Sequence, residues 1–186
     1  MVRLAATRRF TVDEYYRMTA AGILTEEDRV ELIEGEIVQM SPIGSRHASC
    51  VARLDRLCNR LVGELALVFC QNPVRLNEHS EPEPDLMLLK PRADEYAGAH
   101  PGPADVLLII EVADTSAGYD RTEKAPLYAR FGIPEMWLVD LSRDLVEVLR
   151  NPSARGYRTV RVCRRGERIG SITLRQLDLA VDDILR

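Results

Sequence analysis

The sequence that decides the fold is Ala104-Asp105-Val106-Leu107-Leu108-Ile109-Ile110-Glu111-Val112. A continuous run of branched apolar residues between polar ends predicts a strand that is buried on both faces, in the middle of a mixed or parallel sheet. Glu111 stands near the end of this run, and an unpaired buried carboxylate costs several kcal/mol. We therefore expect Glu111 to be protonated, paired with a cation, or placed at the mouth of the sheet where a metal ion or water reaches it.

Two flanking features favour a site at the mouth of the sheet. Pro84-Asp85 opens a second apolar run, and Lys124 opens a predicted helix downstream. An Asp, a Glu and a Lys that converge on strand ends would form a divalent-metal site with a cationic helper. Phosphodiester hydrolysis needs an activated water and stabilisation of charge on the phosphate, and carboxylate-held Mg²⁺ with a lysine can supply both.

Composition indicates an ordinary globular protein. The chain has 186 residues, of which 46% are hydrophobic and 29% charged, so we expect one domain over residues 1–186. No apolar run approaches the roughly 20 residues of a membrane span, so no membrane partner is expected. Residues 1–9 lack the apolar core of a secretory signal, which predicts a cytoplasmic protein.

Cysteine spacing and net charge narrow the chemistry. The four cysteines are far apart and include no Cys-x-x-Cys pair, which indicates a reduced, mostly buried set rather than a zinc site. The formal net charge of −4 argues against a protein that coats nucleic acid by bulk electrostatics, although a local basic patch remains compatible with it.

Periodicity predicts alternating helices and strands. Helices are expected at about 12–21, with a Thr11–Glu14 capping box, at 45–61, before Phe131, and from Leu174. A hairpin is expected at 29–40, and further strands at 65–69, 73–77, 84–89, 135–141, 145–149 and 157–163. Residues 91–103 should form an exposed loop. Pro126 limits the helix before Phe131, because an interior proline costs ~3 kcal/mol. That helix should begin near Glu123 or be kinked at Pro126.

The order of several motifs resembles the Uma-type family of restriction endonucleases, which is similar to the PD-(D/E)XK nuclease superfamily. The motifs are Glu31-Leu32-Ile33-Glu34-Gly35-Glu36-Ile37-Val38-Gln39-Met40-Ser41-Pro42 followed by His47, then Pro84-Asp85, Ile110-Glu111-Val112, Asp120-x-x-x-Lys124-x-x-x-Tyr128 and Gly132-Ile133-Pro134-Glu135-Met136-Trp137-Leu138-Val139-Asp140. The resemblance covers about residues 10–149. It implies an α/β fold with a restriction-endonuclease-like core, in which helices flank a mixed central β-sheet.

The resemblance also implies an activity and its residues. Asp85 and Glu111 would hold Mg²⁺, or Mn²⁺ in its place, and the enzyme would be an endonuclease that hydrolyses phosphodiester bonds in DNA as a homodimer. The usual pattern places a lysine two residues after the glutamate, where this chain has Ala113. Lys124 of the following helix is then the candidate catalytic lysine.

Each of these residues has a structural alternative. Asp85 could cap a strand, and Glu111 could form an ion pair with an arginine. Lys124 could be a solvated helix residue paired with Asp120, four positions earlier on the same face.

Further candidates come from early and late segments. Glu34 is expected to be a third catalytic carboxylate, with Glu31 competing for that role, and His47 and Arg46 are possible nucleic-acid contacts. Two sets of arginines could bind phosphates: those on the predicted helix, Arg46, Arg53, Arg56 and Arg60, and a later set, Arg150, Arg155, Arg158, Arg161, Arg164, Arg165 and Arg168.

Two other classes of function stay open. The missing lysine at Ala113 is compatible with a non-catalytic nuclease fold that serves as a nucleic-acid or protein binding module. A metal-free carboxylate pair of the glycosidase type is the weaker alternative, because the chain has one tryptophan and 5% aromatic residues with which to stack on a sugar.

Overall fold

The computed structural model describes residues 7–25 and 27–186. Residues 1–6, which belong to the segment predicted to lack a secretory signal, lie outside this description. Within the described ranges, every helix is too short or too polar to cross a membrane.

The chain alternates helices and strands in the predicted order over most of its length. The helices are α1 (Val12–Ala20), α2 (Ser45–Val62), α3 (Ala117–Tyr119), α4 (Ala125–Arg130) and α5 (Val181–Ile184). The strands are β1 (Val30–Ile33), β2 (Glu36–Gln39), β3 (Leu67–Cys70), β4 (Leu86–Leu89), β5 (Val106–Ala113), β6 (Glu135–Asp140), β7 (Leu145–Ser153), β8 (Gly156–Arg164), β9 (Arg168–Gly170) and β10 (Asp178–Ala180). Short 3₁₀ turns occupy Gly63–Leu65 and Pro103–Asp105, and a π-helical turn occupies Asp120–Lys124.

A six-stranded mixed sheet forms the centre of the fold. Its strand order is β3-β4-β5-β6-β7-β8; β5 and β6 are parallel, and the other neighbours are antiparallel. Strand β5, which contains the run that opened the sequence analysis, therefore lies inside the sheet. The hairpins β1–β2 and β9–β10 form two separate two-stranded sheets.

Apolar side chains cover both faces of the sheet, because successive residues of a strand point to opposite faces. Leu108 and Ile110 pack on one face with residues of α2 and the C-terminal segment. Ile109 and Ala113 pack on the other face with residues of α4. The prediction of a central strand buried on both faces is confirmed, and Glu111 follows the alternation of Ile109 and Ala113, towards the face that α4 covers.

The parallel connection from β5 to β6 is a helical segment that places Lys124. This segment starts at Ala117, so the first of the two predicted arrangements, a start near Glu123, is wrong. The helical backbone is irregular near the proline, since a π-helical turn comes just before Pro126. In that turn the Ala125 N–H donates to the Asp120 carbonyl, as the wider π geometry requires. The wider turn accommodates a proline that would break a regular helical ladder.

Local capping explains where α1 begins. The Thr11 hydroxyl accepts a hydrogen bond from the Glu14 N–H at 3.1 Å, and the Glu14 carboxylate accepts from the Thr11 N–H at 3.1 Å. The predicted capping box is therefore present. The predicted hairpin is also present, with its turn at Glu34 and Gly35, which both have positive φ.

Two predicted elements are wrong. Residues 73–77 form an irregular segment rather than a strand, because the Val74 N–H donates to Pro82 O at 2.9 Å and the Leu76 N–H to Ser80 O at 3.0 Å. The alternation of buried Val74 and Leu76 reflects packing of a loop on the core. Likewise, no helix starts at Leu174; the described chain turns there, and the final helix begins at Val181.

Candidate active site

A cleft of about 320 Å³ opens beside the ends of β4 and β5. The hairpin β1–β2, the start of α2 and the segment from Asp114 to Lys124 form its walls. Its charged or titratable lining residues are Arg29, Glu31, His47, Glu83, Asp85, Glu111, Asp114, Tyr119, Asp120 and Lys124. Carboxylates outnumber basic groups, so the cleft attracts cations.

Asp85 and Glu111 are brought together by reciprocal backbone bonds at the start of β4 and the end of β5. The Val112 N–H donates to Asp85 Oδ2 at 2.9 Å, and the Asp85 N–H donates to Glu111 Oε2 at 3.3 Å. Each carboxylate thus holds the backbone next to the other. Asp85 is more than a strand cap, because its side chain also lines the cleft.

Lys124 lies at the bottom of the same cleft. Its Nζ is 3.1 Å from Glu31 Oε2 and 3.3 Å from Glu111 Oε1, and only 6% of its side chain is exposed. Burial by itself would lower the pKa of Lys124, but Glu111 and Glu31 outweigh burial and raise that pKa. Lys124 is therefore a buried ammonium rather than a solvated partner of Asp120, and Glu111 pairs with a lysine rather than with an arginine.

Glu111 is almost completely buried. Its Oε1 accepts a hydrogen bond from the Tyr128 hydroxyl at 2.7 Å in addition to the contact with Lys124. Burial raises the pKa of Glu111, and the charge of Lys124 opposes that rise. A second cation in the cleft would favour the ionised carboxylate further.

Glu31, and not Glu34, supplies the early carboxylate of this cluster. Glu31 faces the cleft from β1, and its Oε2 accepts from the Glu83 N–H at 3.1 Å as well as from Lys124. The side chain of Glu34, which was the preferred candidate from the sequence, is 46% exposed and pairs with Arg130 at 2.8 Å. Glu34 sits in the tight turn after β1, so its side chain is directed away from the cleft residues.

His47 joins the site, but Arg46 does not line the cleft. His47 Nε2 is 3.0 Å from Asp85 Oδ1, and its Nδ1 is buried without a hydrogen-bond partner among the described residues. The hydrogen bond to Asp85 raises the pKa of His47 against the opposing effect of burial. Arg46 instead donates to the Leu141 carbonyl at 2.6 Å and to Asp114 at 3.4 Å.

Four of the seven arginines of the later set form ion pairs among the described residues. Arg150 pairs with the buried Glu135 at 2.7 Å, Arg161 with Glu167 at 3.1 Å, and Arg168 with Asp178 at 3.1 Å. Of the helix set, Arg53 donates to the Ile184 carbonyl at 2.5 Å. These arginines therefore have structural partners in the described protein.

Several residues in or beside the cleft had no assigned functional role at the level of sequence. They are Arg29, Glu83 and Asp120, which line the cleft, and Tyr128, which is buried and donates to Glu111. The four-residue spacing from Asp120 through Lys124 to Tyr128 was one available signal, because it places three side chains on one side of a helical segment. A second signal is lysine usage: Lys90 and Lys124 are the only lysines in a chain that otherwise uses arginine.

The donor set fits a hard divalent cation better than zinc. Within the described part of the chain, no group of three His, Cys, Asp or Glu side chains is arranged to hold one metal ion. Mg²⁺ commonly binds through one or two carboxylates and keeps several waters, so the neighbouring carboxylates of Asp85 and Glu111 are compatible with such an ion. Mn²⁺ shares this preference for oxygen ligands.

Comparisons with known proteins agree with this architecture. The model of the Uma2 family, described as "Putative restriction endonuclease", matches residues 12–182. A crystal structure of a "putative nuclease belonging to DUF820 from Anabaena variabilis ATCC 29413" has a TM-score of 0.77 and 19% sequence identity, and the match covers 95% of this chain and 97% of that chain. No curated protein matched the chain. The expected restriction-endonuclease-like fold, with helices on a mixed central sheet, is confirmed.

Proposed function

This chain belongs to the Uma2 family, and from that membership we propose that it is a metal-dependent endonuclease that hydrolyses phosphodiester bonds in DNA. The observation that carries the proposal is the contact of Lys124 Nζ with Glu111 Oε1 at 3.3 Å. Lys124 would thus supply, from the helical segment, the ammonium that a lysine at position 113 would supply from the strand.

Asp85 and Glu111 would hold the metal ion, Mg²⁺ or Mn²⁺. When bound, the ion supplies a Lewis acid that neutralises charge on the phosphate and favours ionisation of a water molecule. The protein prepares for this ion by keeping two carboxylates next to each other at the strand ends, linked through the Asp85 and Val112 N–H groups.

Lys124 would act as a fixed positive charge that orients oxygen atoms. An ammonium has three N–H donors, and the contacts to Glu31 and Glu111 engage two of them. The third can donate to the attacking water or to a phosphate oxygen in the cleft. Because both carboxylates raise the pKa of Lys124, it keeps its proton and positions the water rather than deprotonating it.

Glu31 and Tyr128 would act as positioning residues. Glu31 holds the ammonium from the side of the hairpin β1–β2, at 3.1 Å. Tyr128 donates to Glu111 at 2.7 Å and fixes the orientation of that carboxylate. The removal of such a supporting contact commonly lowers metal affinity or activity by roughly 10- to 100-fold.

The proposed partners are DNA and a second copy of the chain. A cut through both strands of a duplex is most simply made by two sites related by two-fold symmetry. The homodimer stays a prediction, and size-exclusion chromatography with light scattering tests it.

The decisive test is the relaxation of supercoiled plasmid at low salt with Mg²⁺, Mn²⁺ or EDTA. The parent chain should nick the plasmid only with a metal ion, and Asp85→Ala and Lys124→Ala should abolish nicking. Lys90→Ala is the matched control, because Lys90 is exposed and should leave nicking unchanged.

The same assay separates the enzyme from the binding-module alternative. That alternative depended on the absence of a lysine at Ala113, and the position of Lys124 beside Glu111 reduces its support. A folded parent that binds DNA but cuts no DNA substrate, duplex or single-stranded, with either metal would favour the binding module over the nuclease.

A further inference from the structure

Arg29 differs from the other basic groups that line the cleft. Lys124 is paired with Glu31 and Glu111, and His47 is paired with Asp85. Arg29 forms no ion pair within the described residues; its guanidinium donates to the Ser41 carbonyl at 3.0 Å. Because a guanidinium has five N–H donors, most of its hydrogen-bonding capacity is left for other acceptors.

The backbone of Arg29 is held in place beside the carboxylates. The Met40 N–H donates to the Arg29 carbonyl at 2.8 Å, immediately before the strand pairing of β1 with β2. Arg29 and Glu83 both line the cleft, together with Glu31 of the adjacent strand β1. The arginine therefore stands on the wall of the cleft formed by the hairpin.

We propose that Arg29 binds a backbone phosphate of the nucleic acid next to the position that Asp85 and Glu111 give to the metal ion. This inference rests on the proposed function and names a substrate contact within it. A planar guanidinium matches two oxygens of a phosphate, and it is less strongly hydrated than an ammonium. A cleft rich in carboxylates repels the phosphate backbone, so a guanidinium at its wall that has no carboxylate partner among residues 7–25 and 27–186 lets the backbone approach.

The contact should show as one lost charge in the salt dependence of DNA binding. The probe is a short labelled DNA duplex, titrated with Asp85→Asn protein in Mg²⁺ at several NaCl concentrations and followed by fluorescence anisotropy. In this Asp85→Asn background, the further substitution Arg29→Gln should weaken DNA binding about tenfold. It should also reduce the slope of log affinity against log salt concentration by about 0.9. Arg29→Lys should keep the parent slope, because it keeps the charge.

Arg175→Gln is the matched control. Arg175 is exposed in the turn between β9 and β10, does not line the cleft, and belongs to neither set of arginines considered for phosphate binding. The same loss of charge there should leave the affinity and the salt slope close to those of the Asp85→Asn parent.

Each outcome has a separate meaning. An Arg29→Gln protein that melts at a lower temperature but keeps the parent salt slope would overturn the proposal and make Arg29 a structural anchor of the Ser41 segment. An equal reduction of the salt slope in Arg29→Gln and in Arg175→Gln would also overturn it, because the loss would then not be specific to the cleft. A folded parent that binds neither duplex nor single-stranded DNA would reject this inference and the proposed nuclease together.

Discussion

The ammonium of Lys124 lies 3.3 Å from the carboxylate of Glu111, although strand β5 carries one residue and the π-helical turn after it carries the other. A lysine placed two residues after the glutamate would reach the site along the same strand, where this chain has Ala113. Here the π-helical turn brings the cation over the strand from the covering helical layer. The lysine and the glutamate thus meet by a backbone route that differs from the usual one along a single strand.

Lys124→Ala should strongly destabilise the protein. The substitution leaves Glu31 and Glu111 buried without their shared cation, and the removal of one partner from a buried ion pair costs about 3–5 kcal/mol. Urea denaturation followed by circular dichroism measures the free energy of unfolding. Lys90→Ala should remain within about 0.5 kcal/mol of the parent. Equal stability of the two variants would contradict the buried triad.

Mg²⁺ should raise the melting temperature of the parent. A ligand that binds only the folded state stabilises it by about 2.7 kcal/mol at a concentration of 100 times its Kd. Asp85→Asn should remove this effect, because Asp85 is one of the two proposed ligands. Asp144→Asn, an exposed substitution at a residue with φ of 49°, should respond to Mg²⁺ like the parent. If Asp85→Asn also keeps the full response, the metal is held elsewhere.

Glu31→Gln should slow plasmid nicking, whereas Glu34→Gln should leave it unchanged. Glu31 contacts Lys124 inside the cleft, whereas Glu34 pairs with Arg130 at the surface. We expect Glu31→Gln to slow plasmid nicking by roughly 10- to 100-fold, and Glu34→Gln to change neither nicking nor stability by more than about 0.5 kcal/mol. A loss of nicking in Glu34→Gln alone would restore the carboxylate favoured by the sequence.

Glu135→Ala should loosen the C-terminal hairpin. Glu135 is fully buried, and its carboxylate accepts hydrogen bonds from Trp137, Arg150, Ser171 and the Ile172 N–H. The loss of this acceptor leaves Arg150 uncompensated, so the free energy of unfolding should fall by about 3–5 kcal/mol.

Limited trypsin digestion provides a local readout for the same variant. Cleavage should become faster at the arginines around β9, since Glu135 holds that segment against the sheet. Glu64→Ala, at an exposed site, is the control. Unchanged digestion of Glu135→Ala would show that the apolar contacts of the hairpin are sufficient.

The cysteines should react slowly with alkylating reagents in the native protein. Burial raises the pKa of Cys58 to about 12 and that of Cys50 to about 11. Because the thiolate is the nucleophile, a raised pKa leaves these thiols protonated and unreactive at neutral pH. Mass spectrometry after brief iodoacetamide treatment should find all four cysteines modified in urea and little modification without it. Rapid native labelling of Cys58 would contradict its buried position.

The central part of the fold was predictable because local and global signals agree there. The apolar side chains of residues 106–112 can all be buried only if the strand lies inside a sheet that is covered on both faces. The alternation of apolar and polar residues on either side of Glu34 and Gly35 predicts the hairpin β1–β2. Residues 73–77 and 174–177 were assigned wrongly for one physical reason. Buried leucines and valines at regular spacing occur in loops that pack on a core as well as in regular elements.

The site was predictable only in part. Asp85 and Glu111 follow from their positions at strand ends, and the structure brings them together. The sequence alone could not decide between Glu31 and Glu34. Both lie close to a hairpin turn, and the direction of their side chains depends on the geometry of that turn, which the local sequence pattern does not define. Arg29 was missed because its position in the cleft depends on long-range contacts and not on a local pattern. Tyr128 was within reach, because its four-residue spacing from Lys124 places both side chains on one side of the helical segment.

The cluster of Glu31, Asp85, Glu111 and Lys124 has a consequence for how the protein is made. Its members come from four elements, one of them in a hairpin outside the central sheet, so no local folding unit contains the site. Contacts between residues far apart in sequence form late, because loop closure must precede them. A chain still emerging from the ribosome before residue 124 lacks the ammonium that balances the buried carboxylates. The proposed nuclease would therefore become competent only once synthesis has passed the helical segment. A nascent chain that ends before residue 124 could not cut nucleic acid.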